Sequence, residues 1–338
     1  MAEAKGVLVV GELAGGDMGK ITGELLGIGR RLADALGEEL SILLIGDNIK
    51  TKAGSAFALG ADNVYTADDP ALAGYQPELY AGIVEEVCKT VTPNVLILGA
   101  TPSGRDLAPR LAWRFKSGLS SDCVDLGIDP ETRNMIATRP VYGGKAMAEV
   151  DCGTARPAMA TVRPRSQEAL QFNSSRTGEL ISVEMEFGQG VVRTRIVERT
   201  AAEVKGLRLE DARIVVGGGR GMGSAENWKA LEALADDLRG AVAASRGACD
   251  AGYCNRSIQV GISSKRVAPE LYLAVGISGA SQHMSGVSFS KHIVCINRDA
   301  EEPIFKEAEL GVVGRWEEVL PAFHRKVKEL LSEAVEAG

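Results

Sequence analysis

The segment Leu271–His283 changes character abruptly at Gly276. An apolar run, Leu271–Val275, precedes this glycine, and Ser278, Gly279 and further small residues follow it up to the histidine. A short continuous apolar run is typical of a strand that is buried on both faces of a parallel sheet. Small residues after such a strand allow backbone N–H groups to approach a ligand closely. The segment therefore predicts an α/β fold with a ligand site at the carboxyl edge of its sheet.

The N-terminal half repeats this alternation of short apolar runs and amphipathic stretches. Because the apolar runs are continuous, they predict parallel strands that are covered by helices on both faces. The predicted strands are Val7–Val10, Leu40–Ile45 and Asn94–Gly99. The predicted helices are Ile21–Leu36, Tyr80–Val91 and Arg105–Phe115.

From Asp122 to Val197 the sequence becomes richer in strand-forming residues, with glycine and proline between short runs. This pattern predicts strands that form an antiparallel extension of the first domain. The strands are expected at Met135–Thr138, Ala146–Val150, Ala158–Val162 and Val191–Val197, with a turn at Asp151–Thr154.

The C-terminal half begins a fresh alternation after the polar stretch Glu198–Gly206, which predicts a linker. A chain of 338 residues is long enough for two domains. We expect an N-terminal α/β domain over residues 1–200 and a second α/β domain over residues 207–338 that ends in an amphipathic helix. The other elements predicted in the second domain are the strands Arg213–Val216, Ala241–Ala244, Leu271–Val275 and Ile293–Ile296 and the helix Trp228–Leu238.

The composition disfavours several classes of partner. A net charge of −7 argues against nucleic acid or an acidic membrane surface, and 5% aromatic residues leave little for base stacking. No run of about 20 apolar residues is present, so we expect no membrane insertion, and we expect no leader before the first strand. The six cysteines form no C-x-x-C pair, which predicts reduced thiols, no metal site and a cytoplasmic protein.

Four predicted strands of the second domain end in small or polar residues. Taken singly, each of these ends is also compatible with a tight turn, a cap or a solvated charge. Because the carboxyl ends of parallel strands lie at one edge of a sheet, together they predict one shared anion or cofactor site. The residues concerned are Gly217–Gly223, Ser245, Arg246, Gln259–Lys265, Ser278–His283, Asn297 and Asp299.

The segment Gly217–Gly223 matches neither common nucleotide motif. Met222 stands where the third glycine of a dinucleotide fingerprint would be, and no Lys-Ser/Thr pair follows as in a P-loop. A tight strand–helix turn is one interpretation of this segment. Arg220 favours an anion site instead, because a guanidinium can donate two parallel hydrogen bonds to a phosphate. His283 has no serine and aspartate at a useful spacing, which argues against hydrolase chemistry.

Several segments of the second domain closely resemble the α subunit of electron transfer flavoproteins. The longest is Val267–His283, which contains Ala-Pro-Glu-Leu-Tyr and ends in Gln-His. The other similar segments are Gly217–Gly221, Ala243–Arg246, Asp250–Tyr253, Gln259–Gly261, Ile296–Asp299 and Pro303–Phe305, with Gly104–Leu111, Ser121–Asp122, Thr138–Ala146 and Val162–Pro164 in the N-terminal half.

The resemblance implies a Rossmann-like FAD-binding fold for the C-terminal domain. It also implies a nucleotide-hydrolase-like sheet in the N-terminal domain, which packs on a β subunit. The residues that it implies as FAD contacts are Gly219, Arg220, Gly221, Ser245, Arg246, Gln259, Val260, Gly261, Ile262, Ser263, Ser278, Gly279, Ala280, Ser281, Gln282, His283, Asn297, Asp299, Arg315 and Trp316.

Three of these residues are implied to tune the redox chemistry of the flavin. Arg246 is expected over the isoalloxazine ring, His283 as a donor at its N1/O2 edge and Ser263 near N5. One-electron reduction adds negative charge to the ring, which a nearby cation or donor stabilises. The chain departs from the family at Ile262–Ser264, where Gln-Thr-Gly is usual, and at Arg315–Trp316, where Asp-Leu is common.

The function implied by the resemblance is an electron carrier without a substrate reaction of its own. Such a subunit takes electrons from acyl-CoA-type flavin dehydrogenases and passes them to a quinone reductase or another acceptor. It works as a heterodimer whose β subunit binds AMP or a second FAD. Two alternatives stay open, namely the α subunit of an electron-bifurcating, NADH-oxidising complex and a nucleotide-binding module whose FAD is structural or absent.

Overall fold

The computed structural model describes residues 4–14, 16–144, 146–184, 198 and 207–336. The chain divides into two compact units, Met1–Glu198 and Arg199–Gly338. Each unit contains a parallel sheet flanked by helices, which confirms the predicted α/β class. The predicted strand Val191–Val197, and the predicted linker Glu198–Gly206 apart from its first residue, lie outside the described residues.

The first unit combines a large sheet with a small one. Its strands are β1 (Val7–Val10), β2 (Leu13–Ala14), β3 (Asp17–Met18), β4 (Leu40–Gly46), β5 (Asn63–Asp68), β6 (Val95–Gly99), β7 (Leu119–Cys123), β8 (Asp125–Ile128), β9 (Met135–Val141), β10 (Ala146–Asp151), β11 (Ala158–Val162) and β12 (Glu179–Ser182). Its helices are α1 (Lys20–Leu36), α2 (Ala53–Ala58), α3 (Pro77–Val91) and α4 (Pro102–Phe115).

Parallel strands form the large sheet of the first unit in the order β12-β5-β4-β1-β6-β11-β7. Strands β1, β4 and β6 are buried at every residue. One apolar cluster, around α1, covers one face of the sheet, and a second cluster, around α3 and α4, covers the other. This arrangement confirms the two-sided burial that the continuous apolar runs predict. The strands β5, β7 and β12 were not predicted, because half-buried or exposed positions interrupt their apolar pattern.

One strand of the predicted antiparallel extension lies elsewhere. Strands β8, β9 and β10 do form an antiparallel sheet, and the Gly153 N–H donates to Asp151 Oδ1 over 2.8 Å in the predicted turn after it. The prediction was wrong for β11, which lies in the large sheet, parallel to β6 and β7. Every residue of β11 is buried, whereas β10 is largely exposed. A strand that buries every side chain fits only a sheet that is covered on both faces.

The second unit is built around a single parallel sheet with the order β14-β13-β15-β16-β17. The edge strand β17 was not predicted, and all of its residues are exposed. The strands are β13 (Ile214–Gly218), β14 (Ala241–Ala244), β15 (Leu271–Val275), β16 (His292–Asn297) and β17 (Leu310–Val313). The helices are α5 (Trp228–Asp237), α6 (Arg246–Asp250), α7 (Ser281–Met284), α8 (Ile304–Glu307) and α9 (Trp316–Glu336).

Among the helices within the described ranges, none combines the length and the apolar character needed to cross a bilayer. All six cysteines lie within the described ranges and are free thiols.

Glu24, on α1, holds the backbone that follows β11. Its Oε2 accepts a hydrogen bond from the Arg165 N–H over 2.6 Å. Burial raises the pKa of this carboxyl from its usual value of 4.5 to about 7, against the opposing influence of Arg165 and Lys20. Because the folded state binds this proton more tightly than the unfolded chain does, the stabilisation is complete below the unfolded pKa. It is lost as pH rises through the folded pKa.

We expect Glu24→Gln to remove a pH-dependent loss of stability that the wild-type chain shows between about pH 4.5 and 7. The loss should amount to about 1 kcal/mol of unfolding free energy, a value reduced from the full shift because the carboxyl is partly exposed to solvent. Urea unfolding across this pH range measures it, and Glu149→Gln on the exposed strand β10 is the control. A variant with the wild-type pH profile would show that Glu24 does not titrate in this range.

Candidate functional site

The carboxyl edge of the second sheet has a topological switch point between β13 and β15. From β13 the chain moves to β14 on one side, and β15, β16 and β17 then extend the sheet on the other. The loops that follow β13 and β15 therefore leave in opposite directions and open a crevice between them. This crevice lies at the carboxyl edge of the sheet, where the sequence predicts a ligand site.

Three glycines allow the loops after β13 and β15 to cross at backbone contact. A Cβ on Gly219 would lie 1.9 Å from the Gly276 carbonyl oxygen, and one on Gly221 would lie 2.8 Å from the Gly276 Cα. Gly276 itself adopts φ of +62°, a conformation that glycine reaches without strain. The Gly219 N–H donates to the Val275 carbonyl over 2.9 Å. The tight-turn interpretation of Gly217–Gly223 thus explains why position 219 is a glycine, because the packing of the two loops leaves no room there for a side chain.

A cavity of about 630 Å³ lies in this crevice. Its volume falls within the range of about 300–1,000 Å³ that is usual for ligand sites. The loops after β13, β14, β15 and β16 all contribute to its wall, together with residues 259–263. The lining residues that the sequence predicted are Arg220, Gly221, Ser245, Arg246, Gln259, Val260, Gly261, Ile262, Ser263, Ser278, Ala280, Gln282, His283, Asn297 and Asp299.

The predicted contact residues outside this lining are Gly219, Gly279, Ser281, Arg315 and Trp316. The backbone conformation requires a glycine at position 279, because its φ is +81° and a Cβ there would lie 2.4 Å from the Ile304 nitrogen. Trp316 packs against the buried cluster beneath α5 and α9. The exposed side chain of Arg315 lies 3.4 Å from the Glu317 carboxylate. The resemblance implies that Arg315 and Trp316 contact the cofactor. The structure does not place either residue in the cavity lining.

Guanidinium and carboxylate groups share the cavity wall. Asp250 contacts Arg246, with 3.3 Å between Oδ2 and Nε, and it also accepts from Arg256 Nη2 through Oδ1 over 2.6 Å. The side chain of Arg246 is still 73% exposed, which leaves much of its guanidinium surface for an anion or a planar ring. The charged lining residues are Arg220, Arg246, Asp250, Arg298, Asp299 and Glu302.

Several lining residues also fold the loops that carry them. Ser245 Oγ accepts from the backbone N–H of the third residue of α6 over 3.3 Å. Asn297 Nδ2 donates to the Ile277 carbonyl over 2.9 Å, which ties β16 to the loop after β15. Gln259 Nε2 donates to Ser264 Oγ over 2.5 Å, an interaction that a glycine at position 264 would lack. The hydrogen bonds that shape these loops therefore also fix the cavity wall.

His283 is buried, and both of its ring nitrogens have partners. Nδ1 lies 3.2 Å from the Val260 carbonyl oxygen, and Nε2 lies 2.9 Å from the Tyr272 hydroxyl. Burial lowers the pKa of the imidazole to about 4, so the ring is neutral at neutral pH. A neutral ring has one N–H, and in this arrangement the Val260 carbonyl receives it. The expected role of His283 at the N1/O2 edge of a flavin stays a prediction.

The sequence left other cavity residues without a role. Asp250 could have been found from its position four residues after Arg246, the spacing at which helical side chains meet. Tyr272 contacts His283 but does not line the cavity. It carries the one hydroxyl within the strand Leu271–Val275, and a buried hydroxyl signals a polar partner. The lining residues that were not predicted are Gly247, Asp250, Gly276, Ile277, Arg298 and Glu302.

Comparison with known proteins decides the family. The family model described as electron transfer flavoprotein domain matches residues 7–187, and the one described as electron transfer flavoprotein FAD-binding domain matches residues 208–288. The electron transfer flavoprotein subunit alpha of Megasphaera elsdenii is 41% identical over 331 residues, which cover 97% of this chain and 98% of the relative. The chain belongs to the electron transfer flavoprotein α-subunit family.

Other relatives align over most of this flavoprotein chain. The electron transfer flavoprotein subunit alpha of Bacillus subtilis is 40% identical over 326 residues, which cover 96% of the chain and 98% of the relative. A relative named lactate dehydrogenase (NAD(+),ferredoxin) subunit LctC, from Acetobacterium woodii, is 34% identical over 317 residues, covering 94% of the chain and 75% of the relative. The match to the FAD-binding family model at 208–288 includes the loops after β13, β14 and β15, and these loops line the cavity.

We expect Gly217→Ala to destabilise the second unit of this flavoprotein chain. A Cβ there would lie 2.1 Å from the Tyr272 hydroxyl oxygen, and Tyr272 is fully buried, so neither group has room to move. The unfolding free energy should fall by about 2–3 kcal/mol. Urea unfolding measures the change, and Gly247→Ala is the matched control, since its nearest atom would be 3.6 Å from the new Cβ. Equal stability of the two variants would contradict the described packing.

Proposed function

We propose that this chain binds FAD in the cavity at the β13–β15 switch point and serves, together with a β subunit, as an electron carrier. The observation that carries this proposal is the position of the cavity. It lies at the switch point, guanidinium groups line it, and much of its wall belongs to the segment 208–288 that matches an FAD-binding family model. Dinucleotides bind α/β sheets at such switch points, with the pyrophosphate against the loop backbone.

The residues of the cavity suit FAD in kind. Arg220 and the backbone of residues 277–278 offer a cation and N–H groups to a pyrophosphate. Arg246 and Ser263 both line the cavity. They are proposed to serve the isoalloxazine, with the guanidinium against the ring and the hydroxyl towards N5. Asn297 is proposed for the adenosine end. When bound, the flavin supplies reversible one-electron chemistry, and the chain sets the charge around it.

The neutral state of His283 supports a carrier rather than an enzyme with its own substrate. Among the lining residues that the structure describes, this is the one histidine, and both of its ring nitrogens are engaged within the protein. A general base needs a free lone pair and a pKa near the working pH. We therefore propose that His283 does not serve as a general base for the bound flavin.

The electron donor and acceptor are proposed from the family. The donor would be a flavin dehydrogenase of the acyl-CoA type, and the acceptor would be a quinone reductase or a similar protein. The partner would be a β subunit that binds AMP or a second FAD. The relatives that support a two-subunit carrier are named as α subunits of electron transfer flavoproteins.

A second candidate function is electron bifurcation with NADH. The observation that favours it is the similarity to a subunit of a lactate dehydrogenase whose name includes NAD(+) and ferredoxin. The replacement of the usual Gln-Thr-Gly by Ile262–Ser264 beside the proposed N5 position is compatible with a changed flavin potential.

The cofactor content of the heterodimer separates these functions. We expect the chain, produced with its β subunit, to be yellow and to release one FAD and one AMP on denaturation. Two FAD per heterodimer together with oxidation of NADH would support bifurcation instead. A complex that stays without flavin absorbance after incubation with FAD would refute both functions and leave a nucleotide-binding module.

We expect Arg246→Ala to lower the one-electron midpoint potential of the bound flavin. The guanidinium stabilises the negative charge that reduction adds, and a charge-assisted contact of about 1.5–3 kcal/mol corresponds to about 65–130 mV. A spectroelectrochemical titration of the heterodimer measures the potential. Arg256→Ala is the matched control, because Arg256 pairs with the same Asp250 carboxylate but does not line the cavity. An equal shift in both variants would show that Arg246 acts only through the overall charge.

A further inference from the structure

Two cysteines of the second unit hold their sulfur atoms in contact. Cys249 lies on α6 and Cys254 follows the helix, and the distance between their Sγ atoms is 3.7 Å. Both are free thiols. The chain between them turns at Gly252, whose φ of +75° is a conformation that glycine reaches without strain. This turn brings the second thiol back to the first.

The two thiols differ in their access to solvent. Cys249 is 7% exposed and belongs to the buried cluster beneath α5 and α9, whereas Cys254 is half-buried and packs against that cluster. A reagent in solution therefore reaches Cys254 first. Because Cys249 already contacts the sulfur that such a reagent would modify, a second step between the two cysteines needs no further encounter in solution.

Burial controls the ionisation of both thiols. It raises the pKa of Cys254 to about 12, and the neighbouring Cys249 adds to this rise. Burial also raises the pKa of Cys249, but the Cys254 S–H and the Arg256 guanidinium oppose this rise, while Asp250 adds to it. Because the thiolate is the form that attacks a disulfide, the first reaction of the pair with a reagent is slow at neutral pH. Cys249 is the more readily ionised of the two and suits the second step.

We propose that Cys249 and Cys254 are a modification site that forms a reversible disulfide by exchange with a low-molecular-weight disulfide such as oxidised glutathione. The Cys254 thiolate attacks one sulfur of the reagent, so that the S–S bond of the reagent breaks and one thiol molecule leaves. The Cys249 thiolate then attacks Cys254 Sγ in the mixed disulfide and releases the second thiol molecule. The two cysteines lose two hydrogens and two electrons, and the reagent gains both.

The cross-link joins two segments that already pair beside the cavity. Asp250 follows Cys249 on α6 and lines the cavity, and its Oδ1 accepts from Arg256 Nη2 over 2.6 Å. Its Oδ2 lies 3.3 Å from Arg246 Nε. Closing the disulfide brings the two Sγ atoms from 3.7 Å to about 2.05 Å, so the segments that carry Cys249 and Cys254 must shift. The shift changes the surroundings of the two guanidiniums that share Asp250.

One tryptic peptide reports on the disulfide. Cleavage after Arg246 and Arg256 releases residues 247–256, which contain both cysteines. The chain, bound to its β subunit, is incubated with an excess of oxidised glutathione at mildly alkaline pH, alkylated under denaturing conditions and digested. We expect the peptide to become two hydrogens lighter and to escape alkylation within hours, and dithiothreitol to restore both thiols. A peptide that is alkylated at both cysteines, or that retains glutathione on Cys254, would overturn the proposal.

Two variants separate this pair from the other thiols. Cys254→Ser should leave Cys249 fully open to alkylation after the same treatment. Cys152→Ser is the matched control, because Cys152 is also half-buried and its sulfur lies 3.4 Å from the Ser120 hydroxyl. This control should form the wild-type disulfide, and its failure to do so would refute direct exchange at the pair. If Cys254→Ser fails to fold, the wild-type peptide still decides, because it is measured without any substitution.

The effect on the cavity is read from the side-chain Nε–H signals of ¹⁵N-arginine in ¹H–¹⁵N NMR spectra of the same complex, with lysine variants for assignment. We expect disulfide formation to shift the signals of Arg246 and Arg256. The signal of Arg213 should stay in place, because this residue pairs with Glu270 and does not line the cavity. Unshifted Arg246 and Arg256 signals in the cross-linked chain would overturn the coupling. Neither measurement needs a bound flavin, so a complex without flavin refutes the proposed function alone.

Discussion

Backbone contact between the loops after β13 and β15 is the constraint on which the second unit depends. No side chain fits at Gly219 or Gly221, because the backbone of Gly276 occupies the space that a Cβ would need. The contact brings the ends of two central strands together, and Gly221 and Gly276 line the cavity there. On β13, Gly217 leaves the space that the Tyr272 hydroxyl occupies. The position of the His283 ring therefore depends on the same pair of strands.

The wall of the cavity is assembled largely from groups that already have partners within the protein. Asp250 holds two guanidiniums, Asn297 ties two loops, and Gln259 contacts Ser264. Such a site is organised before a ligand arrives, so less free energy is spent on ordering side chains during binding. The same organisation serves electron transfer, because fixed dipoles and charges need no rearrangement when the charge of a cofactor changes.

Much of this arrangement follows from the sequence by local rules. Continuous apolar runs identified the buried strands, and the rule that carboxyl ends of parallel strands share an edge gathered Arg220, Arg246 and Asn297 at one cavity. The protein contacts of the His283 ring did not follow, because they depend on partners that only the fold brings near it. The sheet that β11 joins was predicted wrongly for a related reason. A run of small apolar residues does not show which strands will pair with it.

The exposed edge strand β17 has a practical consequence for work with the chain. Leu310, Val312 and Val313 are exposed there, and within the described residues no further strand pairs with the outer side of β17. An unpaired apolar edge is a template for pairing with a strand of another molecule. This edge therefore offers a site for self-association at high protein concentration, which a strand paired with β17 would block.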